Sequence, residues 1–200
     1  MIIGITGGTG CGKTTLLDVI REAGGTVLDC DAIYHDLLKT DKALLAAIES
    51  RFPGTVEAGV LQRKKLGAIV FADETALQDL NRITHSAIDR QVQRLLTPEP
   101  KLAAIDAIAL LESGLGKRCH VTVAVTAPEE ARVQRIMARD GIEEDYARAR
   151  IKAQKPCDYF SENCDYTLEN AGSPEEFRAK CLAFLEQLAI IKENFQGGSL

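Results

Sequence analysis

Hydrophobic positions along the 200-residue chain follow two alternating patterns. Short apolar runs read as buried strands at MIIGIT (1–6), GTVLD (25–29), KLAAIDAI (101–108), HVTVAV (120–125) and DYTLEN (165–170). The segments between them carry apolar residues at helical spacing. This alternation predicts an α/β fold built on a mostly parallel five-stranded sheet. The last helix has the clearest start: Ser173 as N-cap, Pro174 in the first turn and Glu176 three residues after the cap form a capping box, and Phe177, Cys181, Leu185 and Leu188 follow as a core-facing stripe. The stretch 41–98 departs from the alternation. It shows only helical patterns, with a turn at FPGT and another before LQRKKL, so about 55–98 is expected to be a helical insertion closed by Pro98 and Pro100. No repeat or low-complexity segment interrupts the chain, and the tail FQGGSL is expected to fray.

Between the first strand and the first helix lies GITGGTGCGKTTLL, residues 4–17. Gly7-x-x-x-x-Gly12-Lys13-Thr14 meets the full phosphate-loop pattern, with a buried strand before it and a helix after it. Glycine-rich backbone leaves N–H groups pointing into an open hollow, and the helix N-terminus adds partial positive charge. The residues Gly8, Thr9, Gly10, Cys11, Gly12, Lys13, Thr14 and Thr15 are therefore the candidate nucleotide site. In that pattern Lys13 reaches the β- and γ-phosphates and the Thr14 hydroxyl ligates Mg²⁺, so ATP with Mg²⁺ is the expected ligand. The alternative is a flexible glycine turn bearing a surface lysine, which explains neither the spacing nor the flanking elements.

Composition narrows the partners. A net charge of −5 and a pI near 5.3 supply no broad basic surface for nucleic acid, leaving room only for a local basic patch. The six cysteines contain no C-x-x-C pair, which points to reduced cytosolic thiols and not to a zinc site or a disulfide framework. The chain enters its first strand without a basic leader and has no apolar run of membrane-spanning length. A soluble, unprocessed, cytoplasmic protein is expected, with a monomer favoured.

The second strand ends in LDCDAIYHDL, placing Asp29 and Asp31 at the carboxyl edge of the sheet, where ligands of open α/β folds bind. Asp31 can hold an acceptor hydroxyl in line with the γ-phosphorus, or it can cap the helix AIYHDLL; Asp29 carries the same ambiguity. Asp106, after LAAI, is placed to hold Mg²⁺ through water, or is a solvated strand end. Further on, Arg132, Arg135 and Arg139 share one helix face, and Arg148 and Arg150 follow the break at Asp140-Gly141. Interleaved acids make a solvated, salt-bridged helix the default for most of these arginines, while one or two are expected to neutralise the transferring phosphoryl group. Gly141 is a candidate hinge and about 140–155 a candidate lid.

Taken in order, the phosphate loop, LDCD, LQRKKLGAIVFAD with LNRITH, IDAIALLESGL, RVQRIMARD, RIKAQ and LENAG resemble the dephospho-coenzyme A kinase family from residue 4 to about 172. The resemblance implies a P-loop NTPase-type three-layer sandwich with a helical acceptor insertion and a small lid. It implies ATP-dependent phosphorylation of the ribose 3′-hydroxyl of dephospho-CoA, without a phospho-enzyme. Asp31 then matches the carboxylate thought to orient or deprotonate the acceptor hydroxyl. His85, Glu112 and Arg63 match residues of the acceptor pocket. Arg139 resembles the lid arginine on the ATP phosphates, Gln154 belongs to the same lid, and Asn170 falls in the loop that seats adenine. His35, Ser86 and Ile108 depart from the family, which usually carries Arg, Pro and Pro there; a neutral His35 still donates one hydrogen bond toward the acceptor.

Two other functions compete with this one. A GTPase-type switch would need N-K-x-D and D-x-x-G, neither of which the chain contains, and a kinase of another small acceptor, such as a nucleoside monophosphate or a sugar acid, would share the donor site. Cys11, at a helix N-terminus, is expected to react with alkylating agents and to be shielded by ATP, unless it merely stands in for Ser.

Overall fold

The computed structural model describes residues 1–196, with side-chain environments through residue 189. The end of the tail FQGGSL lies outside the described residues. Five strands form the main sheet: β1 (Ile2–Thr6), β2 (Thr26–Asp29), β5 (Ala103–Asp106), β6 (Val121–Thr126) and β7 (Tyr166–Glu169), in the order β2-β5-β1-β6-β7. Every neighbouring pair is parallel. All five expected strands are present, each within two residues of its predicted edges. The parallel arrangement explains why β1 is buried at all five positions: helices cover both faces, so no polar alternation is needed.

On one face, α1 (Lys13–Glu22) and α9 (Pro174–Gln196) bury Leu16, Ile20, Phe177 and Cys181 against Ile3, Ile5, Val123 and Val125. The capping box at the start of α9 is reciprocal: Glu176 N donates to Ser173 Oγ at 3.2 Å, and Ser173 N donates to Glu176 Oε2 at 2.8 Å. The opposite face packs Ile2, Leu28 and Ile105 against Val92 and Leu96 of α5 (Glu74–Leu95) and the turn beyond it.

Residues 41–98 correct the expectation of purely helical structure. Besides α3 (Lys42–Arg51), α4 (Arg63–Val70) and α5 they hold an antiparallel hairpin, β3 (Val56–Glu57) with β4 (Val60–Leu61). Two-residue strands are too short to show a period of two. The hairpin is held instead by the Glu49 carboxylate, which accepts from Gly54 N and Val56 N at 2.7 Å each, and by left-handed backbone at Ala58 and Gly59. Together with α2 (Cys30–Thr40), these helices enclose a core of their own around Leu44, Ile48, Phe52 and Leu66.

Beyond β6 the chain forms α6 (Glu129–Asp140), α7 (Glu144–Lys152) and α8 (Cys157–Glu162). Gly141 ends α6 with left-handed backbone at φ 63°, and Val133, Ile136, Ala147 and Ile151 make a small core between α6 and α7. No described helix is long and apolar enough to cross a membrane.

Candidate active site

The loop between β1 and α1 wraps a cavity of about 500 Å³ lined by Gly8, Thr9, Gly10, Gly12, Lys13 and Thr14. Asp31, Asp106, Ile108, Arg135, Arg139 and Gln154 close its other sides. Lys13 folds back over the loop, its ammonium donating to the Gly7 carbonyl at 3.0 Å. Glycine is required where the loop meets its supports: Gly12 has φ +97°, and a Cβ there would stand 2.2 Å from Asn170 Nδ2.

Those supports are the main feature that sequence reading missed. Arg132 and Arg135 are not the solvated charges that the interleaved acids predict. Arg132 is only 3% exposed; its Nε donates to Thr9 O at 2.9 Å and its Nη2 to Gln154 Oε1 at 3.1 Å. The same Gln154 oxygen accepts from Thr9 N at 2.9 Å. Arg135 donates to Gly10 O at 3.3 Å and to Asn170 Oδ1 at 3.0 Å, and Asn170 Nδ2 donates to Cys11 O at 2.9 Å. Asn170 is thus buried, with its amide occupied in bracing the loop. A guanidinium presents several donors in a rigid fork, so two arginines can satisfy carbonyls that a glycine-rich loop cannot pair within itself. The available signal was their position beside Val133 and Ile136, the apolar stripe of α6.

The remaining arginines behave as expected from the interleaved acids. Arg148 pairs with Glu130 and Glu144, and Arg150 with Asp140 at 2.5 Å. Arg139 lines the cavity, with its Nε 2.7 Å from Asp140 Oδ1 and its Nη2 3.4 Å from Thr9 Oγ1.

Cys11 corrects the reactivity expectation. Its side chain is 0% exposed, and burial raises its thiol pKa more than Arg132 and Lys13 lower it. The helix N-terminus favours a thiolate only where solvent or a cation can share the charge, and here the sulfur faces the core.

At the sheet edge the two carboxylates of LDCD divide their roles. Asp29 caps α2, accepting from Asp31 N at 2.9 Å and Ala32 N at 3.0 Å. Asp31 is thereby free of capping, lies in the first turn of α2 and faces the cavity. Asp106 pairs in register with Asp29 across β5 and β2. Its Oδ1 is buried without a hydrogen-bond partner among the described residues, and burial pushes its carboxyl up to about 6 against the pull of Lys13.

A second cavity, about 170 Å³, continues from the first through Asp31, Ala107 and Ile108 to Tyr34, Thr84 and His85. Burial lowers the His85 pKa, with Glu112 opposing. Arg63 and His35 meet at the surface, Nη2 to Nδ1 at 3.1 Å, and neither they nor Glu112 line this second cavity. Arginine can only donate, so this contact makes His35 Nδ1 the acceptor and leaves its proton on Nε2.

A glycine-rich phosphate loop on the central strand of a parallel sheet, with a second cavity joined to it at Asp31, defines a P-loop kinase. A family model described as dephospho-CoA kinase matches residues 1–176, and a dephospho-CoA kinase from Syntrophotalea carbinolica is 34% identical over 194 residues, 94% of this chain and 92% of its own. The chain belongs to the dephospho-CoA kinase family. Among solved structures, one from Thermus thermophilus is similar at TM-score 0.77 and 35% identity, covering 94% of this chain and 97% of its own. The dephospho-CoA kinase from Campylobacter jejuni is similar at TM-score 0.66 and 25% identity, covering 94% and 96%.

Proposed function

We propose that this kinase moves the γ-phosphoryl group of ATP onto the ribose 3′-hydroxyl of dephospho-CoA, giving coenzyme A and ADP in one in-line step. The observation that carries this reading is the position of Asp31, which lines both the phosphate-loop cavity and the smaller cavity beside it. A hydroxyl held there stands between the two binding regions. With a loose transition state its proton leaves late, so Asp31 acts chiefly by orienting the hydroxyl and accepting the proton as the bond forms.

The loop N–H groups and Lys13 hold the β- and γ-phosphates, and Arg139 supplies charge from the lid side. Thr14 and Asp106 suit a magnesium ion: both present hard oxygen donors to the same cavity, and the orphaned Asp106 oxygen is a buried acceptor in need of a cation or donor. When bound, the ion would neutralise charge on the β- and γ-oxygens. On the acceptor side His85, Glu112, Arg63 and His35 offer the polar groups that fix the rest of the substrate.

An ADP-release assay with dephospho-CoA, run beside nucleoside monophosphates, sugars and shikimate, tests the assignment. Fastest turnover with dephospho-CoA and a 3′-phosphorylated product are expected. A better substrate in the panel, or a phosphate on another oxygen, would overturn it.

A further inference from the structure

Beside α6, α7 and α8 a cavity of about 730 Å³ opens that shares only Gln154 with the wall of the nucleotide cavity. Arg132 lines it. At 3% exposure this is the one charged residue among those buried, and it takes part in no ion pair among the described residues. Its hydrogen bonds go to neutral acceptors: Nε to Thr9 O, Nη2 to Gln154 Oε1, and Nη1 to Cys157 Sγ at 3.5 Å. A thiol sulfur accepts weakly, so Nη1 is the least satisfied of the three nitrogens. Burying a cation without a counter-ion is costly until negative charge reaches it.

The rest of the wall adds positive charge and does not supply the missing negative. Lys152 and Lys155 are exposed on it, and neither forms an ion pair among the described residues. Arg148, on the same wall, is taken up by Glu129, Glu130 and Glu144. Asp158 alone then opposes Arg132, Lys152 and Lys155, which leaves a surplus of two positive charges. In a chain of net charge −5, that surplus does not come from overall composition. Ala127, Ile151 and Pro156 give the cavity apolar surface as well.

We infer that this cavity is a second ligand site, in which the phosphate of a small phosphorylated organic molecule accepts from Arg132 Nη1 while its carbon skeleton lies on the apolar wall. A phosphate monoester carries nearly two negative charges and three acceptor oxygens, which matches the surplus; a carboxylate brings only one charge. Accepting from Nη1 replaces the weak contact to sulfur and leaves the bonds from Nε and Nη2 in place, so the ligand gives Arg132 its counter-ion without undoing the brace on the phosphate loop. Lys152 and Lys155 complete the charge from the exposed side. The volume suits a sugar phosphate. Cys157, half-buried on the wall, reports occupancy, because a ligand seated against Arg132 covers its sulfur.

The test keeps the substrate cavities filled, with the full chain saturated by magnesium, a non-hydrolysable ATP analogue and dephospho-CoA. Ribose 5-phosphate, inorganic phosphate and ribose are then titrated by calorimetry at constant ionic strength. One ribose 5-phosphate per chain is expected, with weaker binding of inorganic phosphate, which cannot reach the apolar wall, and none of ribose. In parallel, N-ethylmaleimide labelling mapped by mass spectrometry should slow at Cys157 when ribose 5-phosphate is present. The double variant Lys152→Gln, Lys155→Gln should bind it about tenfold or more weakly. No binding to the substrate-filled protein, binding that dephospho-CoA displaces, unaltered labelling of Cys157, or full affinity in the double variant would each overturn the site. Inorganic phosphate binding as tightly as the ester would overturn the choice of ligand. Because the labelling is read on the unaltered chain, it locates the ligand independently of the variant.

Discussion

Asn170 Nδ2 donates to the carbonyl of Cys11 across 159 residues of sequence, joining the end of the last strand to the crest of the phosphate loop at 2.9 Å. The contact is buried, and Arg135 holds the other end of the same amide. Replacing Asn170 with Ala strands the Cys11 carbonyl and removes one of the two acceptors of Arg135 Nη2, which keeps the backbone carbonyl of residue 170. A loss of about 1–3 kcal/mol in stability is expected, with a raised KM for ATP and little change in KM for the acceptor. Thermal melting and steady-state kinetics on the variant check both.

Gly12→Ala attacks the same junction from the other side. The new methyl meets Asn170 Nδ2 at 2.2 Å and the residue must keep φ +97°. Strain of about 1–3 kcal/mol and a fall in kcat/KM of at least about 10²-fold are expected. A nucleotide-induced melting shift close to wild type would contradict the packing described for the loop.

The two aspartates of LDCD should separate cleanly. Asp31→Asn is expected to lower kcat by about 10²- to 10⁴-fold while leaving the melting temperature near wild type. Asp29→Ala removes the cap of α2 and should cost about 1 kcal/mol of stability, with Asp29→Asn close to neutral because an amide oxygen caps as well. Near-normal kcat in Asp31→Asn would remove this residue from the chemistry.

Asp106 sets a pH dependence of opposite sign to that of a salt-bridged carboxylate. Its pKa rises from 3.8 to about 6 in the folded protein, so the native state holds a proton that the unfolded chain releases. Its contribution to stability is fully present below pH 3.8 and is lost as the pH climbs through about 6. In the metal-free protein Asp106→Asn should therefore be more stable than wild type at pH 8, by up to about 3 kcal/mol, with the gap closing toward pH 4. Melting curves in a chelator across that range read the difference. Turnover should fall in the same variant, since the neutral amide is a poor partner for a cation.

What the chain disclosed by itself was local. The phosphate loop, the capping box of α9 and the strand runs each depend on residues a few positions apart, so spacing sufficed to place them. The supports of the loop depend on residues more than a hundred positions away, and nothing near Arg132 tells that Thr9 lies opposite it. Charge pattern instead suggested a solvated face, which describes Arg148 and fails for Arg132 and Arg135. Asp29 and Asp31 looked alike because only the turn of the backbone between β2 and α2 decides which carboxylate points back to cap the helix. The hairpin in 56–61 leaves no mark in its own sequence because the Glu49 carboxylate holds it.

The order β2-β5-β1-β6-β7 places the phosphate loop on the middle strand, with Asp31 and Asp106 following strands on one flank and the Arg132–Arg139 helix and Asn170 following strands on the other. The contacts that brace the loop thus come from one flank of the sheet and the carboxylates that face its cavity from the other. Under the proposed reading, substitutions in the hollow around His85 would leave the Arg132, Arg135 and Asn170 contacts that brace the phosphate loop intact, so the choice of alcohol and the grip on the triphosphate could change independently.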